Sequence, residues 1–414
     1  MSAYLDHAAS TPLRPEAFEA MLPWLQSNYA NPSGAHRLAR HALRAIDEAR
    51  DVVAACLGAE PGEIIFTSGG TESDNLAILG VHDAVGGTVL CAATEHHAVL
   101  EPVESRAGRL VPVGPDGRIK LEALEAYLGP DVTLVSVMAS NNEVGTVQPL
   151  AAVAEAVGRL APQALLHTDA VQAISWLDVA GDAAKANLIS VSAHKFGGPK
   201  GVGALVVRSG TPLQARHIGG GQERERRSGT QNVAGIVALA QAMQITVDER
   251  QSTVERIRIL RDRLADGLRD AIPDLCETGV LTDSSLGQLT SDSSGTGPSA
   301  PDRSALVAGI CHVCIQGIES EALLFLLEQD EVYASAAASC ASGAMEPSHV
   351  LAAMGLPREL ANGALRLSLG WCTTEAEVEH AITAITRAVE RLRQFRPPTL
   401  ASSGLVMGDS GRVR

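Results

Sequence analysis

The residues best suited to covalent chemistry lie in a glycine-rich stretch that carries a lysine, residues 190–205, SVSAHKFGGPKGVGAL. An apolar run ends at His194 and Lys195, and a glycine-rich turn then leads into a second apolar run. Glycine-rich turns let the backbone approach a ligand closely, so Lys195 would face a pocket. A lysine whose pKa is lowered by burial forms Schiff bases with carbonyl compounds and with pyridoxal phosphate. The alternative is a solvated lysine in a surface hairpin.

Composition narrows the class of protein. A chain of 414 residues exceeds the size of one hydrophobic core, so two domains are expected. No apolar run reaches the length of a membrane span, and no basic segment followed by an apolar one opens the sequence, so we predict a cytoplasmic protein. The net charge of −15 argues against direct binding of nucleic acid, which depends on basic patches.

The seven cysteines show no spacing typical of a disulfide framework, and in a reducing cytosol they should be mostly free. Cys311 and Cys314 look like half a zinc site. They lie inside an apolar run, Leu306–Ile315, and no second pair follows at the spacing of metal ligands. We therefore predict the interior of a strand and no metal site, because free cysteine behaves as a small buried hydrophobe.

A second glycine turn, residues 68–71, separates a predicted strand from a predicted helix. Unpaired amides and the helix dipole converge at such a turn, which makes it suited to a phosphate group. The alternative is an ordinary connection with a helix N-cap.

Strands alternate with helices through the first half of the chain, which predicts an α/β fold with a mostly parallel sheet covered on both faces. The predicted strands are Glu63–Thr67, Thr88–Ala92, Leu110–Val113, Thr133–Met138, Leu165–Thr168, Leu188–Val191 and Ala204–Val207. Ligands bind beyond the carboxyl ends of such strands. Polar groups collect there in four places, Thr94–His97, Ser140–Glu143, Asp169–Gln172 and Ser192–Lys195.

The rest of the chain predicts a smaller α+β domain. Helices are expected at Val233–Met243 and Glu249–Leu268, and the polar stretch Thr282–Ser304 reads as a flexible insertion. The predicted division is a large domain over residues 15–260, a small domain formed by residues 1–14 and 261–396, and a disordered tail over residues 397–414.

With these pieces in order, the chain resembles the cysteine desulfurases of the NifS and IscS type, which are class V aminotransferase-like enzymes of pyridoxal-phosphate fold type I. The resemblance covers residues 4–393 apart from the insertion. It is carried by motifs that occur in the order of that family: YLDHAASTP, FTSGGTESDNLAI, ATEHHAV, NNEVGTVQP, HTDAVQ, SAHKFGGPKGVGAL, GGGQERERRSGT, SCASGAMEPSHVL and LRLSLG.

The resemblance implies a pyridoxal 5'-phosphate cofactor and gives each site residue a role. Lys195 would hold the cofactor and shuttle protons, Asp169 would pair with the ring nitrogen, and His96 would stack on the ring with a part in acid–base chemistry. The other implied cofactor contacts are Gly70, Thr71, Asn142, Gln172, Ser192, His194 and Thr230, the last donated by the second subunit of a homodimer. The implied substrate contacts are Asn31, Asn142 and Arg366, the last through a bidentate pair with the carboxylate.

Cys340 would be the nucleophile that takes the sulfur as a persulfide, and it could also act as a transient iron–sulfur ligand. The segment around it, Ser335–Cys340, lacks the glycine that relatives often carry there, which should favour a helical turn. Its length resembles the NifS and IscS group rather than the SufS group.

The function implied is a cysteine desulfurase that converts L-cysteine to L-alanine and passes sulfur to acceptor proteins of iron–sulfur cluster assembly, tRNA thiolation or another thio-cofactor pathway. Two alternatives are a selenocysteine lyase and a non-catalytic sulfur-transfer scaffold.

Overall fold

The computed structural model describes residues 2–290, 301–336 and 348–394. Cys340, the predicted tail and the middle of the predicted insertion lie outside these residues. The strands are β1 Ala3–Tyr4, β2 Ile64–Thr67, β3 Thr88–Ala92, β4 Arg109–Val111, β5 Val132–Ser136, β6 Leu165–Asp169, β7 Leu188–Ser192, β8 Gly203–Val207, β9 Leu275–Glu277, β10 Ile310–Ile315, β11 Val332–Tyr333 and β12 Ala364–Ser368. The helices are α1 Pro15–Gln26, α2 Arg37–Cys56, α3 Gly70–Val85, α4 His97–Glu104, α5 Leu121–Tyr127, α6 Leu150–Leu160, α7 Val179–Asp182, α8 Val233–Ala271, α9 Asp283–Thr290, α10 Ser320–Gln329, α11 His349–Ala353, α12 Arg358–Ala361 and α13 Glu375–Gln394.

The large sheet has seven strands in the order β2-β8-β7-β6-β5-β3-β4. Strand β8 runs antiparallel to both of its neighbours, and the other pairs are parallel. All seven strands expected from the sequence are present, with bounds that differ by two residues at most. The prediction of an α/β fold with a mostly parallel sheet is confirmed.

Helices cover both faces of this sheet, so its strands are buried on both sides. In β2, Ile64 and Phe66 pack into the core beneath α2, α6 and α8, whereas Ile65 faces the core formed with α3 and α4. Helix α2 fits its place because its apolar residues recur at helical spacing and lie buried along one side. Within the described ranges, no helix is both long enough and apolar enough to cross a membrane.

A second core surrounds the smaller antiparallel sheet, which has the order β12-β10-β9. Strand β10 carries the predicted strand-interior cysteines. Cys311 faces the second core and Cys314 faces the first, so both thiols are buried and the strand prediction is confirmed. Strand β1 joins this half of the protein by pairing with β11. The domain boundary near residue 260 stays a prediction.

Two elements differ from the expectation. The predicted helices Val233–Met243 and Glu249–Leu268 are one helix of 39 residues, α8. No proline or glycine interrupts the residues between them, so nothing in the backbone ends the first helix there. The predicted flexible insertion begins with a helix, α9, in which Thr282 and Ser285 exchange hydrogen bonds at the first turn.

Candidate active site

A cavity of about 380 Å³ lies at the carboxyl ends of the parallel strands. It is lined by these predicted site residues: Gly70, Thr71, His96, Asn142, Asp169, Gln172, Ser192, His194, Lys195 and Arg366. The turns after β3, β5, β6 and β7 and the start of α3 therefore bring together residues that are far apart in the sequence, as strand order in such sheets dictates.

Lys195 lies in a short 3-10 turn directly after β7. Its Nζ donates to the backbone oxygens of Ala8 at 2.5 Å and Ala9 at 3.1 Å. Burial, and to a lesser extent the nearby Arg366 guanidinium, lower the pKa of this amine to about 8. The surface-hairpin alternative does not apply, because the amine is held inside the cavity.

Asp169 ends β6 and is 7% exposed. The backbone N–H of Val171 donates to its Oδ1 at 2.8 Å, and burial raises the pKa of the carboxyl to about 6. Two further buried carboxyl groups, Asp74 and Glu95, interact electrostatically with it, and burial raises the pKa of each well above its usual value. Asp74 and Asp169 thus line the cavity with Glu95 buried near them, and burial disfavours a negative charge on each of the three groups.

The imidazole of His96 caps α4, since its Nδ1 accepts from the backbone N–H of Ala98 at 3.1 Å. Burial and the charge of Lys195 lower the pKa of His96 to about 4, so the ring is neutral at physiological pH. Beside it, the rings of His97 and His349 lie 4.6 Å apart. A neutral imidazole can stack on an aromatic ligand or accept a proton.

The glycine turn at the start of α3 packs closely against the neighbouring strands. Gly69 has φ +152°, and a Cβ on Gly203 would lie 2.8 Å from the Gly69 Cα. A side chain at Gly203 would therefore force this turn away from β8. The first residues of α3 face Ser192, so amides and a hydroxyl converge as an anion site requires.

Arg366 projects from β12 and is 6% exposed. Its Nη2 pairs with Asp6 Oδ1 at 2.8 Å, and its Nη1 donates to the backbone oxygen of Asn142 at 3.0 Å. The guanidinium is held from both sides, which leaves a planar cation at one wall of the cavity. Such a group suits a carboxylate.

Sequence reasoning missed Asp74 and His349, which also line the cavity, and it gave no individual role to His97 and Glu143, which follow predicted strands. Glu143 accepts from the Ser348 hydroxyl at 2.5 Å, and His349 Nε2 lies 2.9 Å from the backbone oxygen of Glu95. The signal that could have found Asp74 is a short acidic side chain inside the buried face of a helix.

Two of the predicted residues that the structure describes are not brought to the cavity. Asn31 and Thr230 are exposed and do not line it, and Cys340 lies outside the described residues. Thr230 belongs to a loop in which Glu223, Arg224 and Glu225 all have positive φ, between +47° and +65°. This backbone is strained for residues with a Cβ, so other contacts must hold it.

The buried ion pair between Arg50 and Glu223 holds that loop. The pair is bidentate at 2.7 and 2.9 Å, and the Glu223 carboxylate also accepts from the Phe66 amide. We expect Arg50→Met to lower the free energy of unfolding by about 3–5 kcal/mol, because it leaves a buried carboxylate unpaired. Urea denaturation measures the loss. Arg159→Met, in an exposed pair, is the control, and equal effects of the two changes would contradict this role.

Comparisons with known proteins identify the family. The family model Aminotransferase class-V matches residues 3–380, so the chain belongs to the class-V aminotransferase family. It is 40% identical to the IscS-like cysteine desulfurase of Mycobacterium tuberculosis, over 97% of this chain and 99% of that protein. Relatives of this kind place it among the cysteine desulfurases of the family, as the motifs indicated.

Solved structures agree with this assignment. A structure titled NifS-like protein superposes with a TM-score of 0.84 at 34% identity and covers 94% of this chain and 100% of that one. A structure titled SspA in complex with cysteine gives a TM-score of 0.72 at 28% identity and covers 90% of this chain and 100% of that one.

Proposed function

We propose that this protein is a pyridoxal-phosphate-dependent L-cysteine desulfurase that forms L-alanine and a persulfide on Cys340. The observation that carries the proposal is the meeting of Lys195, Asp169 and Arg366 in one cavity of a chain whose relatives are cysteine desulfurases. An amine, an acid and a carboxylate clamp are the groups that this chemistry needs.

The cavity fits the cofactor. Its volume of about 380 Å³ lies within the range of small-molecule sites, roughly 300–1,000 Å³. It offers an amine of lowered pKa at Lys195 and a buried carboxylate at Asp169. The residues that would hold the phosphate are Gly70, Thr71, Ser192 and His194, with Thr230 from a second copy of the chain. Gln172 would bind the ring oxygen and His96 would stack on the ring.

When bound, the cofactor supplies a sink for the electrons released at the substrate Cα. Lys195 is suited to moving the Cα proton, because an amine with a pKa of about 8 is about 10% neutral at pH 7. Asp169, as a carboxylate, keeps a proton on the ring nitrogen. Arg366, with Asn142 beside it, binds the substrate carboxylate and so orients Cα towards Lys195.

The Cys340 thiolate would attack the sulfur of the bound cysteine. A sulfur–sulfur bond forms as the bond between Cβ and sulfur breaks, and the electron pair of the broken bond goes to Cβ. Proton uptake there gives the methyl group of alanine. The balance is closed without another reactant, since cysteine and one enzyme thiol give alanine and one enzyme persulfide.

The persulfide would serve acceptor proteins, in iron–sulfur cluster assembly or tRNA thiolation. We also propose a homodimer, supported by the exposure of large apolar side chains on α1, α2 and the loop before Thr230. Leu25 is 60% exposed, Leu38 is 52% exposed and Ile218 is 90% exposed. Sedimentation of the holoenzyme would test this, and a monomer with full cofactor occupancy would contradict it. The cytoplasmic location stays a prediction from the sequence.

The deciding experiment compares alanine release from L-cysteine and from L-selenocysteine by the wild type and by Cys340→Ala. We expect the substitution to lower turnover of L-cysteine by about 100-fold or more, because it removes the nucleophile. Cys372→Ala, which removes an exposed thiol, is the control.

Full activity of Cys340→Ala on L-cysteine would show the nucleophile to be wrong. A wild type that prefers L-selenocysteine, with a variant that still turns it over, would favour a selenocysteine lyase. A wild type that binds the cofactor and turns over neither substrate would favour a scaffold.

A further inference from the structure

His312 lies on β10 directly opposite Arg366 on β12. The backbone N–H and C=O of Arg366 pair with Ser335, and the backbone oxygen of His312 accepts from Thr278. Between β10 and β12 these two residues therefore form a non-hydrogen-bonded antiparallel pair. Side chains approach most closely at such pairs, so His312 stands beside the base of the Arg366 side chain.

The hydrogen bonds around His312 favour one position of the ring proton. Its Nδ1 lies 2.9 Å from Thr278 Oγ1, and that hydroxyl has an acceptor of its own in the backbone oxygen of His312, at 3.4 Å. The hydroxyl thus accepts from Nδ1–H, and Nε2 keeps a free lone pair. Burial, and then the Arg366 charge, lower the pKa of His312 to about 3, so the ring stays neutral.

The two opposed side chains each have one unused atom of complementary type. His312 Nε2 is a buried acceptor and Arg366 Nε is a buried donor, and neither has a hydrogen-bond partner in the part of the chain that the structure describes. The Nη atoms of Arg366 already contact Asp6 and Asn142. Because an unpaired buried polar group is costly, a rotation of the guanidinium that joins Nε–H to Nε2 would be favourable.

We propose that His312 is a positioning residue for the substrate carboxylate clamp: its Nε2 accepts from Arg366 Nε and fixes the guanidinium plane when the Nη atoms turn to the carboxylate. This inference rests on the proposed function only for the identity of the substrate. His312 does not line the cavity, so we expect its effect on affinity for the carboxylate and not on the chemical step.

The test measures the holoenzyme with His312→Leu, which removes the acceptor, and with His312→Gln, whose amide oxygen can replace it. We expect His312→Leu to raise KM for L-cysteine about tenfold, a change of about 1.4 kcal/mol, with little change in kcat. The affinity for L-alanine, measured by spectral titration, should fall by a similar factor. The affinity for cysteamine, which lacks the carboxylate, should be unchanged. The KM of His312→Gln for L-cysteine should be close to that of the wild type.

Cys314→Ala is the matched control, because Cys314 is buried two residues along the same strand and shows the effect of lost packing alone. A second variant, Thr278→Val, removes the group that keeps the proton on Nδ1, and we expect it to raise KM in the same direction while Thr278→Ser does not. Equal losses of affinity for L-alanine and for cysteamine would overturn the proposal. A KM for His312→Leu that is no higher than the KM for Cys314→Ala would also overturn it. A wild type that binds L-alanine but releases no sulfur from L-cysteine would reject the desulfurase assignment and leave the clamp testable.

Discussion

Lys195→Ala is expected to remove covalently held cofactor and to lower turnover of L-cysteine by about 10³-fold or more. The reason is that Lys195 supplies the single amine that lines the cavity within the described residues. Reconstitution with pyridoxal phosphate, followed by gel filtration and the visible absorbance of the bound cofactor, measures the first effect, and sulfide release measures the second.

The control is Lys200→Ala, because Lys200 lies in the same glycine-rich turn but is exposed. Normal cofactor absorbance in Lys195→Ala would show that another amine holds the cofactor. The pH dependence of cofactor capture by the wild type tests the lowered pKa of Lys195. A neutral amine is the reactive form, so the rate of cofactor capture should rise with pH up to about 8 and level off above it. A rise that continues beyond pH 10 would contradict the lowered pKa.

The second large effect is expected for Asp169→Ala, which should keep cofactor binding but lower turnover by about 10³-fold. Asp169 would hold the proton on the ring nitrogen of the bound cofactor, and without that carboxylate the cofactor would accept electrons poorly. The apoprotein should at the same time become more resistant to heat. Burial raises the pKa of this carboxyl to about 6, which means that the folded apoprotein disfavours its charge, so its removal relieves that cost.

Steady-state kinetics and thermal unfolding of the apoprotein check the two parts of this prediction. The control is Asp178→Ala, which removes an exposed carboxyl from the segment after β6 and should change neither turnover nor the thermal stability of the apoprotein. Full turnover in Asp169→Ala would exclude a role at the ring nitrogen. Lower thermal stability would mean that Asp169 stabilises the empty cavity rather than straining it.

The sequence predicted the central sheet well because each strand is a short apolar run bounded by turn residues, as in Thr88–Ala92, whose bounds matched. It failed where regular structure depends on tertiary contacts. The C-terminal half of α8 is polar and arginine-rich, and its continuity with the apolar first half depends on burial of Ile257, Leu264 and Leu268 in the second core.

The site was predicted where polar residues follow apolar strands, as at Asp169 and Lys195. The supporting contacts were not, because they join parts of the chain that the sequence does not relate. Glu143 and Ser348 are 205 residues apart, and the tautomer that His312 favours depends on Thr278, directly after β9. Spacing within a motif carries no information about such pairs.

The pairing of β1 with β11, together with the ion pair between Asp6 and Arg366 across 360 residues, sets the order in which the protein can become active during synthesis. At about 5–20 residues per second, the ribosome needs roughly 20–70 s to pass from Asp6 to Arg366. Until then the segment with the backbone oxygens of Ala8 and Ala9, which accept from the amine of Lys195, lacks the hydrogen bond from the Ala8 amide to the Ser368 hydroxyl. A chain that stops short of β12 therefore lacks the clamp and leaves the segment of Ala8 and Ala9 without its contact to Ser368, so we expect no turnover of substrate before β12 is made.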